Sequence, residues 1–544
     1  MAGRVPSPGA LAEDTALRDL SDETTETLLD RYPMWATDLG LHSRDEMLGD
    51  LSPGGRAAYV RTLRKIERGL GQLEPTGLSS QDRVDHAILL NAVALALDDE
   101  EQQQAPRSDP TLYNAHILGG LLSLVRRGPE AGQRRAAAVL ARLAAVPTLL
   151  EQALQQLDNP PRLFVDVAAD QGEAMAAWLE GELPKAFSDA PAVTDSAREA
   201  AFRVRRYLDR LTDPIRPASG DFRMGSRRFL RRLQLQEHGT WDLVRLLHRG
   251  YDELNAGRDG LARVLSELRC ARTPVEEVAA LRRDPLPPGE LAAVVRAWLD
   301  SILLFLHEHD LLDVDDDARP RVEPPAAGSL GEAPLNVIHP GPFGAAATGA
   351  VEVNPHPSLY RWAIPVETVR AAIPGRYWVR HRTANAPRRL RRILPAPGLH
   401  AGFPAYAVSM MGEEGLFRED ARYRAAAVLY ALEQAGRLIV AIRLHADDMT
   451  LDESVQFLVD QCFMTPSASR AAAIEAALHP LAGIELAQKL ALRDLRRDLE
   501  QGGKGKYSAR QFHDQVLAHG FTPVPLLKEL LAPTPSRHTN ICLW

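Results

Sequence analysis

The chain has 544 residues, of which 45% are apolar and 25% charged, a composition typical of a globular protein with a sizeable core. Its net charge of -8 disfavours nucleic acid as a partner, because phosphate binding normally needs a basic surface. No stretch approaches the roughly 18 consecutive apolar residues of a membrane span. Met1 to Leu20 also lacks the basic-then-apolar pattern of a secretory signal. The sequence therefore predicts a cytoplasmic protein with no nucleic-acid and no membrane partner.

The N-terminal half of the chain has a helical pattern. Residues 1–20 carry several Pro and Gly and are interpreted as a flexible lead-in, whereas Ser21 can cap a first helix whose first turn is acidic. Apolar residues then recur three and four apart in long stretches separated by Pro and Gly, which predicts helices with short connections. The clearest of these stretches are Val84–Leu97, Arg134–Gln156, Ala197–Leu211 and Trp241–Leu268.

The composition changes between Asp310 and Pro357, where an acidic run is followed by Pro, Gly and Ala, as is typical of a lobe boundary. Two short alternating runs, 349–355 and 375–381, could pair as a small sheet beside a cleft. Helical periodicity then returns in four stretches: Tyr423–Ala446, Leu451–Met464, Ala471–Leu499 and Ala509–Leu531. The predicted domains are a lead-in (1–20), a helical N-terminal lobe (21–320), a C-terminal lobe (321–532) and a tail (533–544).

The familiar catalytic motifs are missing from the sequence. No His-Glu-x-x-His string occurs, and His307 and His309, two residues apart, would point in different directions on a helix and could not chelate one ion. Neither a Gly-x-Ser-x-Gly elbow nor a Walker A loop is present. His513 and Asp514 could act as an acid/base pair, although a histidine that packs in a helix interface explains them as well.

Three long segments carry a resemblance to a known family. They are RYPMWATDLGLHSRDEMLGDLSP (31–53), RLIVAIRLHADDMTLDESVQFL (437–458) and LAQKLALRDLRRDLEQGGKGKYSARQFHDQVLAHGFTPVPLL (486–527). In this order they resemble the bacterial family called domain of unknown function 885, over about Arg31 to Leu531. The resemblance implies a helical zinc metallopeptidase of the zincin type, with a His-Glu-x-x-Pro-Gly-His-His-Leu-Gln motif and a later Glu-Gly-Trp that supplies an acidic ligand.

The matching motif in this chain is ILPAPGLHAG, 393–402. The first His of the family motif falls on Ile393, the general-base Glu on Leu394 and the second His on Leu399, so only the last His remains, as His400. Zinc binds through imidazole, thiolate or carboxylate groups, which these aliphatic side chains do not offer. The loss of the Glu also removes the base that would activate water. We therefore predict no metal and no cofactor.

Other family positions are kept in part. By the same resemblance, Glu414 matches the acidic ligand, Arg437 and His445 match a cleft Arg and His, and Gln488 stands where the family has Tyr, next to a retained Lys489. The stretch between Glu414 and Arg437 is shorter than the family pattern.

These observations predict a mainly α protein, with a large helical zincin-like (metallopeptidase-like) fold and a small β element near the cleft. The leading hypothesis is a degenerate zinc-metallopeptidase homologue that binds a peptide or small molecule without hydrolysing it. Five residues would line the ligand surface: Ile393, Leu394, Leu399, Gln488 and Lys489.

The alternative is an enzyme with repurposed chemistry, either metal-independent or using a different metal, in the same cleft. His400 would then act as acid/base with Glu414 as its partner, Arg437 would hold a carboxylate or oxyanion, and His445 would orient the substrate. His339, His356 and His381 lie in the same segment as His400 and could join it in binding a ligand or metal. Any one of them alone is more often an ordinary loop histidine.

Overall fold

The computed structural model describes residues 8–127, 132–268, 272–315, 318–328, 333–339, 341–344, 349–356, 358–502 and 507–531. It is mainly helical with one small sheet, which confirms the predicted mainly α class with a small β element. Two compact units divide the chain: unit 1 is Met1–Asp221, Ala326–Leu330 and Pro340–Ala347, and unit 2 is the remainder. The chain thus first passes from unit 1 to unit 2 after residue 221, whereas the sequence analysis placed the boundary between the lobes at residue 320. The predicted tail, 533–544, lies outside the described residues.

Unit 1 is a helical bundle. Its helices are α1 (Pro8–Arg31), α2 (Pro33–Asp38), α3 (Pro53–Gly71), α4 (Ser80–Asp98), α5 (Ala105–Ser108), α6 (Thr111–Arg127), α7 (Gly132–Gln156), α8 (Arg162–Gly181), α9 (Leu183–Ala186) and α10 (Pro191–Leu211). The first helix begins at Pro8, so the predicted end of the lead-in at residue 20 falls inside it. The core lies among α6, α7, α8 and α10, which bury one apolar face each.

Unit 2 contains the family motif. Its helices are α11 (Ser226–Glu237), α12 (Leu243–Glu267), α13 (Pro274–Arg282), α14 (Pro288–Glu308), α15 (Ile364–Ala371), α16 (Arg376–Ala384), α17 (Leu390–Ile393), α18 (Pro397–Glu414), α19 (Ala421–Ala446), α20 (Leu451–Cys462), α21 (Pro466–Leu478), α22 (Ile484–Gly502), α23 (Ala509–Ala518) and α24 (Val524–Leu531). Two helix pairs, α12 with α19 and α18 with α22, form its most extensive packing. The second pair positions the candidate site.

The small sheet comprises β1 (Arg321–Glu323), β2 (Leu335–Ile338) and β3 (Ala350–Val353), in the order β1-β3-β2. β3 pairs parallel with β1 and antiparallel with β2. The predicted strand at 349–355 is therefore confirmed, but the one at 375–381 is wrong, because those residues lie in α16. Both edges of β3 are already paired, and a short apolar run does not by itself distinguish a strand from a buried helix.

Two predicted C-terminal helices are each divided in two. The stretch 471–499 is interrupted between α21 and α22, where Pro480 cannot donate a helical hydrogen bond and disfavours helix at the residue before it. The stretch 509–531 is interrupted between α23 and α24, where Gly520 has a φ of 72° and Pro523 follows. Apolar periodicity continued across both breaks, so the predicted helices were too long.

Candidate functional site

The segment 393–402, which was matched to the zinc motif by resemblance, forms part of the hydrophobic core of unit 2. Ile393 ends α17, Leu394 follows it, and Leu399 lies in the first turn of α18. Their relative exposures are 1%, 3% and 0%, so these side chains line no open groove. They offer no ligand atom, and the residues present at the motif do not fit the zinc site that the resemblance implies.

Glycines at the start of α18 allow α22 to approach it closely. A Cβ placed on Gly402 would lie 2.4 Å from the Cβ of Gln488, and one on Gly398 would lie 1.9 Å from Oε2 of Glu237. The Gln488 side chain is fully buried and its Nε2 donates a hydrogen bond to that same Oε2 at 2.9 Å. Gln488, predicted to line the ligand surface, therefore holds two helices together.

Glu237 is a buried carboxyl group that the sequence analysis did not identify. It ends α11, is 1% exposed, and accepts hydrogen bonds from Gln236 Nε2 at 2.9 Å and from the backbone N–H of Gly398. Burial raises its pKa to about 7. The carboxyl group thus satisfies an N–H group at the start of α18, as an N-terminal cap does. No local motif marks it, since its partners are distant in sequence.

His400 is held as a neutral imidazole. It lies in the first turn of α18, half-buried, and its Nε2 accepts a hydrogen bond from Nε of Arg380 at 3.0 Å. Burial, followed by the positive charges of Arg380 and Arg376, holds the pKa of His400 well below its usual range. Because the ring accepts a guanidinium proton at Nε2, that nitrogen is not available as a base in this structure.

Next to this histidine, charged side chains form a group that we call the charged recess. It comprises Arg370, Arg376, His400, Glu433, Arg437 and Glu485, which come from α15, α16, α18, α19 and α22. Burial, and then the charge of Arg370, lowers the pKa of Arg376 to about 10. The charge of Arg376 lowers the pKa of His400, and the charge of Glu485 raises the pKa of Arg376. The members of the recess are therefore electrostatically linked.

Arg437 is the centre of the ion pairs in the recess. Its NH2 lies 2.6 Å from Oε2 of Glu475, its Nε 3.7 Å from Oε1 of Glu485, and its NH1 3.8 Å from Oε1 of Glu433. Burial raises the pKa of both Glu433 and Glu485, although their side chains remain 42% and 25% exposed. The three glutamates are thus grouped around one guanidinium, and Glu433 and Glu485 remain accessible to a ligand.

The predicted catalytic residues do not converge. His400 and Glu414 lie at opposite ends of α18, fourteen residues and about 21 Å apart along the helix axis. His445 is buried, its Nε2 lies 2.8 Å from the carbonyl oxygen of Ala476, and its ring packs near Phe222 and Phe229. Of the four, His400 and Arg437 belong to the charged recess, whereas Glu414 and His445 do not.

Glu414 instead lies near Lys489, beside a cavity of about 210 Å³ between α18 and α22. Its lining consists of Tyr406, Ser409, Met410, Glu413, Glu414, Lys489, Arg493, Arg496, Arg497 and Glu500. The Lys489 side chain is 5% exposed and its Nζ lies 3.0 Å from Oε2 of Glu253. The structure therefore separates the predicted site residues into two places.

The remaining histidines of the motif segment do not form a metal centre. His381 stacks against Tyr377 and Trp378, and its ring centroid lies 6.0 Å from that of His339. His356 is half-buried, with its Nδ1 2.7 Å from Oγ of Ser358. Within the described ranges, no group of three or more His, Cys, Asp or Glu side chains is arranged to hold a metal ion.

Comparison with known proteins agrees with this architecture. The family model described as "Bacterial protein of unknown function (DUF885)" matches residues 33–531, and the chain belongs to this family. No curated protein matches the chain.

Two solved structures share the fold. A protein from Shewanella oneidensis, described as a putative lipoprotein of unknown function, is 16% identical with a TM-score of 0.76, over 94% of this chain and 99% of that one. Another described as a putative lipoprotein, from Colwellia psychrerythraea, is 14% identical with a TM-score of 0.82, over 95% and 98% of the two chains. At these identities the likeness shows the fold alone.

Two described helices, α7 and α19, are long and apolar enough to cross a membrane by length and composition. Within their most apolar windows, 44% and 67% of the residues are buried inside the protein. A core helix of a soluble protein satisfies the same criterion, so this observation is weak support for a membrane span. The expectation of no membrane partner remains a prediction.

Proposed function

We propose that this protein is a zincin-like homologue without a hydrolytic zinc site that binds a peptide or small molecule in the charged recess. The observation that carries the proposal is the grouping of the accessible carboxylates of Glu433 and Glu485 around the guanidinium of Arg437. Partly buried charges interact more strongly with a ligand than charges on an open surface.

The recess offers both signs of charge to a ligand. Arg376 can donate to a carboxylate, for which the planar guanidinium is suited, whereas Arg370 already pairs with Glu367. Glu433 and Glu485 can accept from an amine. A peptide, or a small molecule with both kinds of group, matches this arrangement. The aliphatic residues at the former metal positions support binding without metal-assisted hydrolysis.

The alternative is an enzyme that uses the same recess with different chemistry. The observation that favours it is the strongly perturbed pKa of His400, because such shifts concentrate at catalytic sites. A ligand that drew Arg380 away from His400 would free the Nε2 atom of the imidazole. If bound ligands are converted to products and His400→Gln abolishes the conversion, the enzyme hypothesis replaces the binding hypothesis.

The first experiment measures metal content of the untagged protein by elemental mass spectrometry. We expect less than about a tenth of an equivalent of any transition metal, because an assembled site would retain nearly one ion per chain. Near-stoichiometric zinc, iron or manganese would contradict the proposal of a zinc-free homologue.

The second experiment screens di- and tripeptides by thermal shift and titrates those that bind by calorimetry. Arg437→Met is expected to weaken binding at least tenfold, since it frees three carboxylates to repel an anionic group. Arg424→Met is the matched control, because Arg424 lies on the same helix and pairs with Glu267 away from the recess. Equal affinities for both variants would show that the recess is not the binding site.

The cytoplasmic location also stays a proposal, since the two solved relatives are described as putative lipoproteins. Fractionation of the producing cells tests it directly.

A further inference from the structure

A groove lies apart from the charged recess, between the C-terminal half of α18 and residues 489–500 of α22. The two helices line its cavity of about 210 Å³ with residues three, four and seven apart, so each contributes one face. Basic side chains come from α22, whereas α18 ends in the carboxylates Glu413 and Glu414. The cavity therefore presents opposite charges on its two walls.

Arg496 is oriented by a buried chain of hydrogen bonds. Nδ1 of His513 lies 2.7 Å from the carbonyl oxygen of Leu311, which can only accept, so this nitrogen carries the proton and Nε2 is left as an acceptor. The hydroxyl of Tyr406 lies 2.8 Å from Nε2 and therefore donates to it. The Tyr406 oxygen in turn accepts from NH1 of Arg496 at 3.0 Å.

This chain positions the guanidinium through neutral partners, and its ion pair is with Glu500. Burial lowers the pKa of His513 to about 4 and raises the pKa of Tyr406 to about 12, so both partners are neutral at physiological pH. Nε of Arg496 donates to Glu500 at 2.7 Å, and within the described part of the chain its NH2 has no partner. A fixed guanidinium edge with free donors is a binding group for a carboxylate.

The opposite wall can accept a cation. In the described structure neither Glu413 nor Glu414 forms an ion pair or a side-chain hydrogen bond, although basic residues line the same cavity. Those basic residues have other partners: Glu253 pairs with Lys489 and Arg493, and Asp494 pairs with Arg497. The two carboxylates are consequently available to an ammonium group of a ligand.

We propose that this groove binds a small zwitterion of the α-amino-acid class, with its carboxylate on Arg496 and its ammonium group on Glu413 and Glu414. Ser409, on the same face of α18, also lines the cavity and adds a hydroxyl donor to it. The cavity volume of about 210 Å³ is smaller than the roughly 300–1,000 Å³ of drug-sized pockets. The site thus suits one free amino acid better than a long peptide.

The test titrates the full-length protein with each of the twenty common L-amino acids by calorimetry. For the tightest binder, its carboxamide, its N-acetyl derivative and inorganic phosphate are titrated in parallel. The amide lacks the carboxylate and the N-acetyl derivative lacks the ammonium group, so each is expected to bind at least tenfold more weakly. Arg496→Met and Glu414→Gln are each expected to lose at least tenfold in affinity, with Arg424→Met as the control.

The outcomes separate this proposal from the charged recess. An amino acid whose binding is lost in Arg437→Met but kept in Arg496→Met would bind in the recess, and the groove proposal would be overturned. Phosphate binding that matches the amino acid and is unchanged in Glu414→Gln would show an anion site only. A concentration of about 10 mM is near the weak limit of specific binding. If no amino acid gives a heat of binding at that concentration, the groove proposal is also rejected.

Discussion

The close contact between Gly398 and Glu237 gives a direct test of the packing that places α18. In Gly398→Ala the added methyl group would lie 1.9 Å from Oε2 of Glu237 and 2.6 Å from Cγ of Gln488, so the buried carboxyl group must move. Overpacking costs about 1–3 kcal/mol, and a lost hydrogen bond to a charged group about 1.5–3 kcal/mol. We therefore expect unit 2 to lose about 3–6 kcal/mol of unfolding free energy.

Gly289→Ala is a matched control. Gly289 also follows a proline at the start of a helix, α14, but no atom lies within 4 Å of an added Cβ. Alanine there is expected to be neutral or to stabilise by up to about 1 kcal/mol, through helix propensity and a smaller unfolded-state entropy. The difference between the two variants isolates the steric effect.

The assay is urea unfolding followed by circular dichroism, with the apparent Tm as a second measure. Gly398→Ala should lower the apparent Tm by about 5 °C or more relative to Gly289→Ala. Glu237→Ala introduced with Gly398→Ala should recover part of the loss, because the clashing oxygen is gone and the two changes are coupled. Equal stability of Gly398→Ala and Gly289→Ala would refute the packing of α18 against Glu237 described above.

Two further predictions concern the same unit. The carboxyl pKa of Glu237 is raised from 4.5 to about 7, so the folded state holds a proton that the unfolded state has lost. Stability should therefore fall as pH rises from about 4.5 to 7, by about 3 kcal/mol relative to Glu237→Gln, in urea titrations across that range. If the unfolding free energies of the wild-type protein and Glu237→Gln change with pH in the same way, the raised pKa of Glu237 is excluded. Thr450→Ala removes the side-chain half of the capping box of α20, in which Thr450 Oγ1 accepts from the Glu453 N–H at 3.2 Å. Thr450→Ala should lower the unfolding free energy by about 1 kcal/mol, whereas the mid-helix change Ser301→Ala should not lower it. If neither variant loses stability, Thr450 does not stabilise α20 as a cap.

The helical class of this protein was predictable because most helices bury one face, and burial of one face leaves a period in the sequence. The pattern gave the correct C-terminus for α7, α10 and α19. It could not locate the breaks after α21 and α23, since apolar residues continue on both sides. In those places Pro480 and Gly520 mark the ends more reliably than periodicity.

The arrangement of the site was less accessible to sequence reasoning. A short motif matched Glu414 to the acidic ligand of the family, and Glu414 was then predicted to be the partner of His400. Both residues lie on one continuous helix, which keeps them about 21 Å apart. The contacts that define the two sites instead join residues far apart in sequence, as Arg437 joins Glu485 and Tyr406 joins His513. Such pairs leave no local pattern, and the charge of Arg376 or Glu485 on an amphipathic helix does not reveal whether the residue faces solvent or a recess. A predicted helix from Pro397 to Glu414 would nevertheless have shown that His400 and Glu414 cannot meet. The rise per residue of a helix is fixed, so their separation follows even where the contacts are unknown.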